Sequence, residues 1–249
     1  VRMMRNIKMT LAYDGTRYHG FQKQEGTGLA TIQETLEQAL ETLTQEKVTV
    51  YGSGRTDAGV HALGQVINFH SETKIPVERF PLAINSVLPP DIRVLKCAEV
   101  DLDFHARFRA RKKTYCYKIY NKPHMLPFWR YYAYHVPVRL DLGKMQEGAE
   151  LFLGSHDFRA FCAKGVTSKD YVRTIYESRI THDGDIVTFQ VTGDGFLWNM
   201  VRIMMGTLLE IGEGKRMTED IPRLLTAGER KLAGRTVPPH GLYLLKVEY

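Results

Sequence analysis

The chain has 249 residues, 43% hydrophobic and 25% charged, which is ordinary for a globular protein with a real core arranged as one large domain or two small ones. Its formal net charge of +6 favours an anionic partner without requiring one. No apolar run approaches the ~18 residues a bilayer span needs and no signal-peptide-like segment opens the chain, so neither membrane insertion nor secretion is expected.

Taken in chain order, residues 7–13 read as a strand closed by the turn pair Asp14-Gly15. Thr31-Ile32-Gln33-Glu34 fits a capping box, and Ile32, Leu36, Ala39, Leu40 and Leu43 then recur at helical spacing. Strands are expected at 48–51 and 65–69, a helix over 77–87 with Pro81 as an alternative start, and a strand over 94–100. The same order returns in the second half. Residues 114–120 read as a strand and 142–152 as a helix. Residues 173–180 and 186–192 form a hairpin across Asp183-Gly184, 197–211 a helix, and 242–247 a last strand. Two β-α-β-β-α-β halves make the fold class α+β, with two ferredoxin-like, RNA-recognition-motif-like sheets. The expected halves are 1–104 and 105–249, with the junction near 105–112 and a central cleft between them as the natural ligand site.

The cysteines Cys97, Cys116 and Cys162 are odd in number, far apart and without a C-x-x-C, which argues against a disulfide framework and a zinc site. A reducing, cytoplasmic setting fits. The nine histidines form no H-E-x-x-H, and neither a Walker loop nor a G-x-G-x-x-G occurs. No metal and no nucleotide cofactor are expected.

Between the strands at 48–51 and 65–69 runs GSGRTDAGVHALG, with Asp57 set among Gly52, Gly54 and Gly59. The glycines suggest backbone conformations that other residues avoid. An aspartate there is more often a turn residue bonded to its own backbone than a reacting group, and this stretch alone favours that reading. The junction reads FHARFRARKKTY, with Arg107, Arg109, Arg111, Lys112 and Lys113 interleaved with Phe104, Phe108 and Tyr115. Such a run is usually a solvated basic linker; interleaving with aromatics tips it toward phosphate binding and base stacking. Lys164, Lys169 and Arg173 form a second basic loop. In GDGFLWNMVRIMMG, Phe196, Trp198, Met200, Met204 and Met205 read as core. Arg202 stands out among Val201, Ile203 and Met204, since a buried guanidinium needs an anion or many acceptors. Its head reaching water is the commoner case; Asp57 is a candidate anion.

The blocks YDGTRYHGFQ, GSGRTDAGVHALGQVINF, NSVLPPDIRV, FHARFRARKKTYCY, HDFRAF and FLWNMVRIMMGTLLEIG, with GLYL near the end, occur in the order seen in the tRNA pseudouridine synthase A family. The chain resembles that family over nearly its whole length, and GRTDAGVHA is the most specific block. The resemblance implies a pseudouridine synthase fold, no cofactor, a homodimer, and conversion of uridine to pseudouridine at positions 38, 39 and 40 of the tRNA anticodon stem-loop. It implies that Asp57 is the catalytic aspartate, that Tyr115 lies against the target uracil, and that Arg202 pairs with the aspartate. Arg55 matches an arginine that helps flip the base out. Phe104, His105, Ala106, Arg107 and Phe108 match one tRNA-contact segment, and Gly165, Val166, Thr167, Ser168 and Lys169 a second. That second segment departs from the Gln- and Arg-rich pattern of better-known members. Lys74 is the nearest basic residue to one the family carries after its NF strand. The competing readings are a non-catalytic RNA-binding or tRNA-folding protein, and a pseudouridine synthase with a different RNA target.

Overall fold

The computed structural model describes residues 3–165 and 167–249. Its elements in chain order begin with β1 (Arg5–Tyr13), α1 (Ile32–Thr44), β2 (Tyr51–Gly52), β3 (His61–Ser71), α2 (Phe80–Asn85) and β4 (Ile92–Val100). There follow β5 (Lys112–Tyr120), β6 (Tyr134–His135), α3 (Leu142–Glu150), β7 (Gly154–Asp157), β8 (Val172–Asp183), β9 (Ile186–Gly193), α4 (Met200–Gly212), α5 (Asp220–Ala227) and β10 (Leu242–Glu248). The chain divides into two compact units. The first runs to Arg111 and takes in Tyr243–Tyr249; the second is Lys112–Leu242.

In the first unit β1 is an inner strand. Ile7, Met9, Leu11 and Tyr13 are buried at alternate positions, the period-2 signature of a strand with one face on the core. β1 pairs antiparallel with β3 on one side and β4 on the other, and β2 pairs antiparallel with β3. The path β4-β1-β3-β2 is that of a β-α-β-β-α-β unit. α1 starts where the capping box predicts: Thr31 Oγ1 accepts the Glu34 N–H at 3.3 Å. It buries Ile32, Leu36, Ala39 and Leu40, each large aliphatic side chain contributing roughly 1.5–3 kcal/mol. The helix expected over 77–87 is split. Val77–Arg79 forms a 3-10 turn, and Pro81, lacking an N–H, sits in the first turn of the short α2. The strand expected at 48–51 shrinks to the two residues of β2.

In the second unit the sheet runs β5-β9-β8-β7, all antiparallel, with β6 parallel to β5. Gly184 at φ 55° makes the Asp183-Gly184 hairpin turn. α3 is capped by Asp141, whose Oδ1 accepts the Lys144 N–H at 3.0 Å. α4 is buried almost all round, because elements pack on more than one of its sides; this is why its sequence reads apolar without a polar stripe. It begins at Met200, after Asn199 takes a left-handed φ of 60°. Trp198, read as core, is instead exposed. α5, β6 and β7 were not anticipated; they are short or carry too few periodic apolar residues to announce themselves.

The last strand departs from the expected halves. The junction falls at Arg111, but β10 clusters with the first unit rather than with 105–249. β10 runs parallel to β3, Tyr243 beside His61 and Leu244 beside Ala62. The Arg111 N–H donates to the Glu248 carbonyl at 2.7 Å, and the Tyr249 hydroxyl to the Ala106 carbonyl at 2.7 Å. These bonds tie chain-distant residues together, which element order cannot show.

Candidate active site

Asp57 sits half-buried on the loop between β2 and β3, with Arg55 exposed two residues before it. The turn is closed by backbone: the Val60 N–H donates to the Asp57 carbonyl at 3.1 Å. Of the glycines in the motif, Gly52, Gly54, Gly59 and Gly64, only Gly59 takes a positive φ, 80°. Gly52 is needed for space, since a Cβ there would strike the Phe21 ring at 2.5 Å. The loop rests on the segment after β1. The Thr56 carbonyl accepts the Phe21 N–H at 3.0 Å, and the Gly59 N–H donates to Tyr18 at 3.3 Å. Gly20, at φ 86°, allows this approach; a Cβ there would lie 2.8 Å from the Thr56 carbonyl oxygen. The buried His61 faces the Gly15 N–H with Nδ1 at 3.0 Å, and its ring packs against Tyr243 with centroids 4.9 Å apart.

In the second unit, Tyr115 lies on β5 opposite Val191 of β9 and is 9% exposed. Its ring meets Phe196. Tyr117, two residues on and therefore on the same face, donates its hydroxyl to the Pro238 carbonyl at 2.6 Å. Arg202 on α4 is half-buried. Its Nε donates to the Val237 carbonyl at 2.8 Å and its Nη1 to Asn199 Oδ1 at 3.0 Å. Val237 and Pro238 thus bind α4 to the face of β5 that carries Tyr115. Burial raises the Tyr117 phenol well above its ordinary value, against the opposing charge of the nearby Arg202. The local reading of Arg202 as an arginine with buried neighbours holds: Val201, Ile203 and Met204 are all buried.

Residues 104–108 are held on the first unit by their backbone. Ala106 is fully buried; its N–H donates to Asn68 Oδ1 at 2.8 Å and its carbonyl is taken by Tyr249. The Phe104 carbonyl accepts from Asn6 at 2.9 Å and Asn68 at 3.3 Å, and its ring packs on Tyr249 at 5.1 Å. What faces outward is His105, Arg107 and Phe108. Phe108 is 76% exposed and stacks at 4.3 Å on His105, which in turn meets Tyr51 at 5.0 Å. Partial burial, then Arg107 and His70, pull the His105 imidazole below its usual range, which favours a neutral ring in this aromatic row. Arg109 pairs with Asp103 at 2.6 Å. Lys74 is exposed beyond β3.

In the second basic loop, Gly165 takes φ 82° and Thr167 and Lys169 are exposed. Ser168 donates its Oγ to the Asp170 carbonyl at 2.7 Å. Val166 lies outside the described residues. Among the described residues, no three His, Cys, Asp or Glu side chains gather as a metal site, and no helix is long and apolar enough to cross a membrane.

Two residues beside the Asp57 loop carry more than the sequence reading assigned them. Tyr13 was read as the end of a strand and Gln65 as the start of one, yet both are buried with their polar ends on the loop. A tyrosine and a glutamine at strand ends flanking a glycine-rich loop were the available signal.

A sequence model of the family described as tRNA pseudouridine synthase matches residues 9–109 and 149–249. The tRNA pseudouridine synthase A of Acetivibrio thermocellus is 49% identical over 246 residues, covering 99% of this chain and 100% of that protein. Its namesake in Caldicellulosiruptor bescii is 48% identical, covering 99% of this chain and 100% of that protein. That of Bacillus licheniformis is 48% identical, with 98% of each covered. With the α+β architecture and a match across most of its length, this chain belongs to the tRNA pseudouridine synthase family, isomerases that act on uridine in tRNA.

Proposed function

We propose that the chain isomerises uridine to pseudouridine at positions 38, 39 and 40 of the tRNA anticodon stem-loop, with Asp57 as the catalytic carboxylate. The observation that carries this is a carboxylate on a loop pinned at Thr56 and Gly59 and carrying an exposed arginine. A protein that only gripped RNA would gain nothing from a carboxylate there, since it repels phosphate. The reaction breaks the bond between ribose C1′ and uracil N1, turns the base, and joins C1′ to C5. Three routes are open to Asp57: attack at C1′, attack at C6, or removal of a proton at C2′. All need the ionised form. Arg202 is the residue assigned to pair with Asp57. Tyr115 offers a face for the detached base, and its hydroxyl helps take the proton from C5. Arg55 assists extrusion of the nucleotide, a step costing a few kcal/mol. Lys74, His105, Arg107, Phe108 and residues 165–169 grip the RNA around it, while Phe104 and Ala106 anchor that grip. The working species is a homodimer without a cofactor; a monomer mass by light scattering at working concentration would refute the dimer.

The experiment is tritium release from C5-labelled uridine in tRNA transcripts, each carrying label at one position. Release from 38, 39 and 40 supports the proposal. Release elsewhere assigns another RNA target, and binding without release assigns a non-catalytic RNA-binding protein.

A further inference from the structure

The Asp57 loop is bordered by a buried polar chain that the chemistry above does not use. Gln65, near the start of β3, is fully buried. Its Oε1 accepts the Val66 N–H at 3.1 Å and the Ser53 hydroxyl at 2.6 Å. A backbone N–H can only donate, so this end of the amide is the oxygen and the other end the amino group. Nε2 therefore donates to the Gly54 carbonyl at 3.1 Å and to the Tyr13 hydroxyl oxygen at 3.3 Å. The Tyr13 hydroxyl, which keeps a proton of its own, also bonds Thr56 Oγ1, 2.7 Å away, and either oxygen can donate. Burial pushes the Tyr13 phenol up to about 12, so that proton stays in place near neutral pH.

Three of these bonds reach residues 53–56, at Ser53, Gly54 and Thr56. Gly54 is held by its carbonyl, and Thr56 by its hydroxyl from Tyr13 and by its carbonyl from Phe21. These two residues bracket Arg55, and Thr56 precedes Asp57. Tyr13 lies on β1, which is paired on both sides, so the loop takes its reference from an inner strand of the sheet. An apolar pair at 13 and 65 would fill the same space without specifying where residues 54–57 sit.

We infer that Tyr13 and Gln65 are positioning residues for the reaction: acting through Gly54 and Thr56, they set the placement of Arg55 and Asp57 without touching RNA. The inference rests on the reading of Asp57 as the catalytic carboxylate. The bond from Tyr13 to Thr56 is its working link, since it alone reaches the side chain next to Asp57. Losing it leaves the RNA grip at 104–108 intact and loosens the carboxylate, so it lowers the rate of the chemical step and spares binding.

The test is single-turnover rate, tRNA affinity and melting temperature for Tyr13→Phe, Thr56→Val and Thr56→Ser, beside Asp57→Asn. Ser71→Ala is the control: it removes a different buried hydroxyl, at the far end of β3, that donates to Glu46 at 2.7 Å. Tyr13→Phe and Thr56→Val should each lower the rate per folded molecule by about 10–100-fold, up to the cost of misplacing a reacting group by about 1 Å. Affinity should stay within about twofold, and Thr56→Ser, which keeps the hydroxyl, should recover most of the rate. Ser71→Ala should lower the melting temperature and keep the rate. A Tyr13→Phe rate close to wild type, or a Thr56→Val rate no lower than that of Thr56→Ser, would overturn the inference. If Tyr13→Phe fails to fold, the Thr56 pair decides. Should Asp57→Asn itself turn over, the reading of Asp57 falls first; if it is inactive while Tyr13→Phe works normally, only the inference falls.

Discussion

The rings of Tyr115 and Phe196 meet edge to face, their centroids 5.1 Å apart and their planes at 82°. This contact fixes the plane of a tyrosine already held on β5 opposite Val191. Tyr115→Phe keeps the contact and loses only the hydroxyl. The catalytic step should fall by ~10²-fold or more, the range for losing an acid–base group, while tRNA affinity stays within about threefold. Tyr115→Ala also loses base stacking, worth ~1–3 kcal/mol. Single-turnover rates beside thermal melts check this. If Tyr115 served only the core, both variants would melt earlier and turn over normally per folded molecule.

Asp57→Asn keeps the size of the side chain and the backbone bonds that close its turn. It can neither attack nor take a proton as a carboxylate does. Turnover should fall by at least ~10²–10⁴-fold with tRNA binding retained. Tritium release beside filter binding measures both, and turnover within tenfold of wild type would remove Asp57 from its role.

Arg202→Lys tests geometry at constant charge. The guanidinium reaches Val237 and Asn199 through two separate nitrogens, at 2.8 and 3.0 Å, and a single ammonium on a flexible stem cannot reproduce that fork. The rate should drop by about 10²-fold, as for a reacting site displaced by about 1 Å, with a lower melting temperature. A Lys variant at the wild-type rate would show that only charge matters at this position.

The outward row of His105, Arg107 and Phe108 should divide its contributions. Arg107→Ala should weaken tRNA binding and reduce the slope of log affinity against log salt by about 1, the signature of one lost phosphate contact. Phe108→Ala should cost ~1–3 kcal/mol with the salt slope unchanged, as for lost stacking. Equal effects on the slope would contradict the assignment of stacking to Phe108.

Much of the first unit was legible because its signals are local. The alternation of Ile7, Met9, Leu11 and Tyr13 marks a strand at any position in any fold, and Thr31 with Glu34 marks a helix start. The run GRTDAGVHA, with the ordered blocks around it, identified the family, because the order of residue types along the chain is all that such a match needs. The same locality set the errors. The pattern over 77–87 does not separate a 3-10 turn from an α-helix, and β2 is too short to carry a period.

Only the tertiary structure decided what binds the site to its scaffold. That β10 joins the first unit depends on Arg111 meeting Glu248 and Tyr243 lying beside His61, pairs far apart in the chain. That Ala106 is an anchor while its neighbour Phe108 is exposed depends on Asn68 and Tyr249 claiming its backbone. The chain from Gln65 through Tyr13 to Thr56 joins residues up to 52 positions apart. A hydrogen bond between side chains leaves no periodic trace in sequence; it exists only where the folded backbone brings donor and acceptor within about 3 Å. The residue types available for chemistry could therefore be read along the chain, whereas the placement of the loop that presents them follows from the buried bonds that only folding makes.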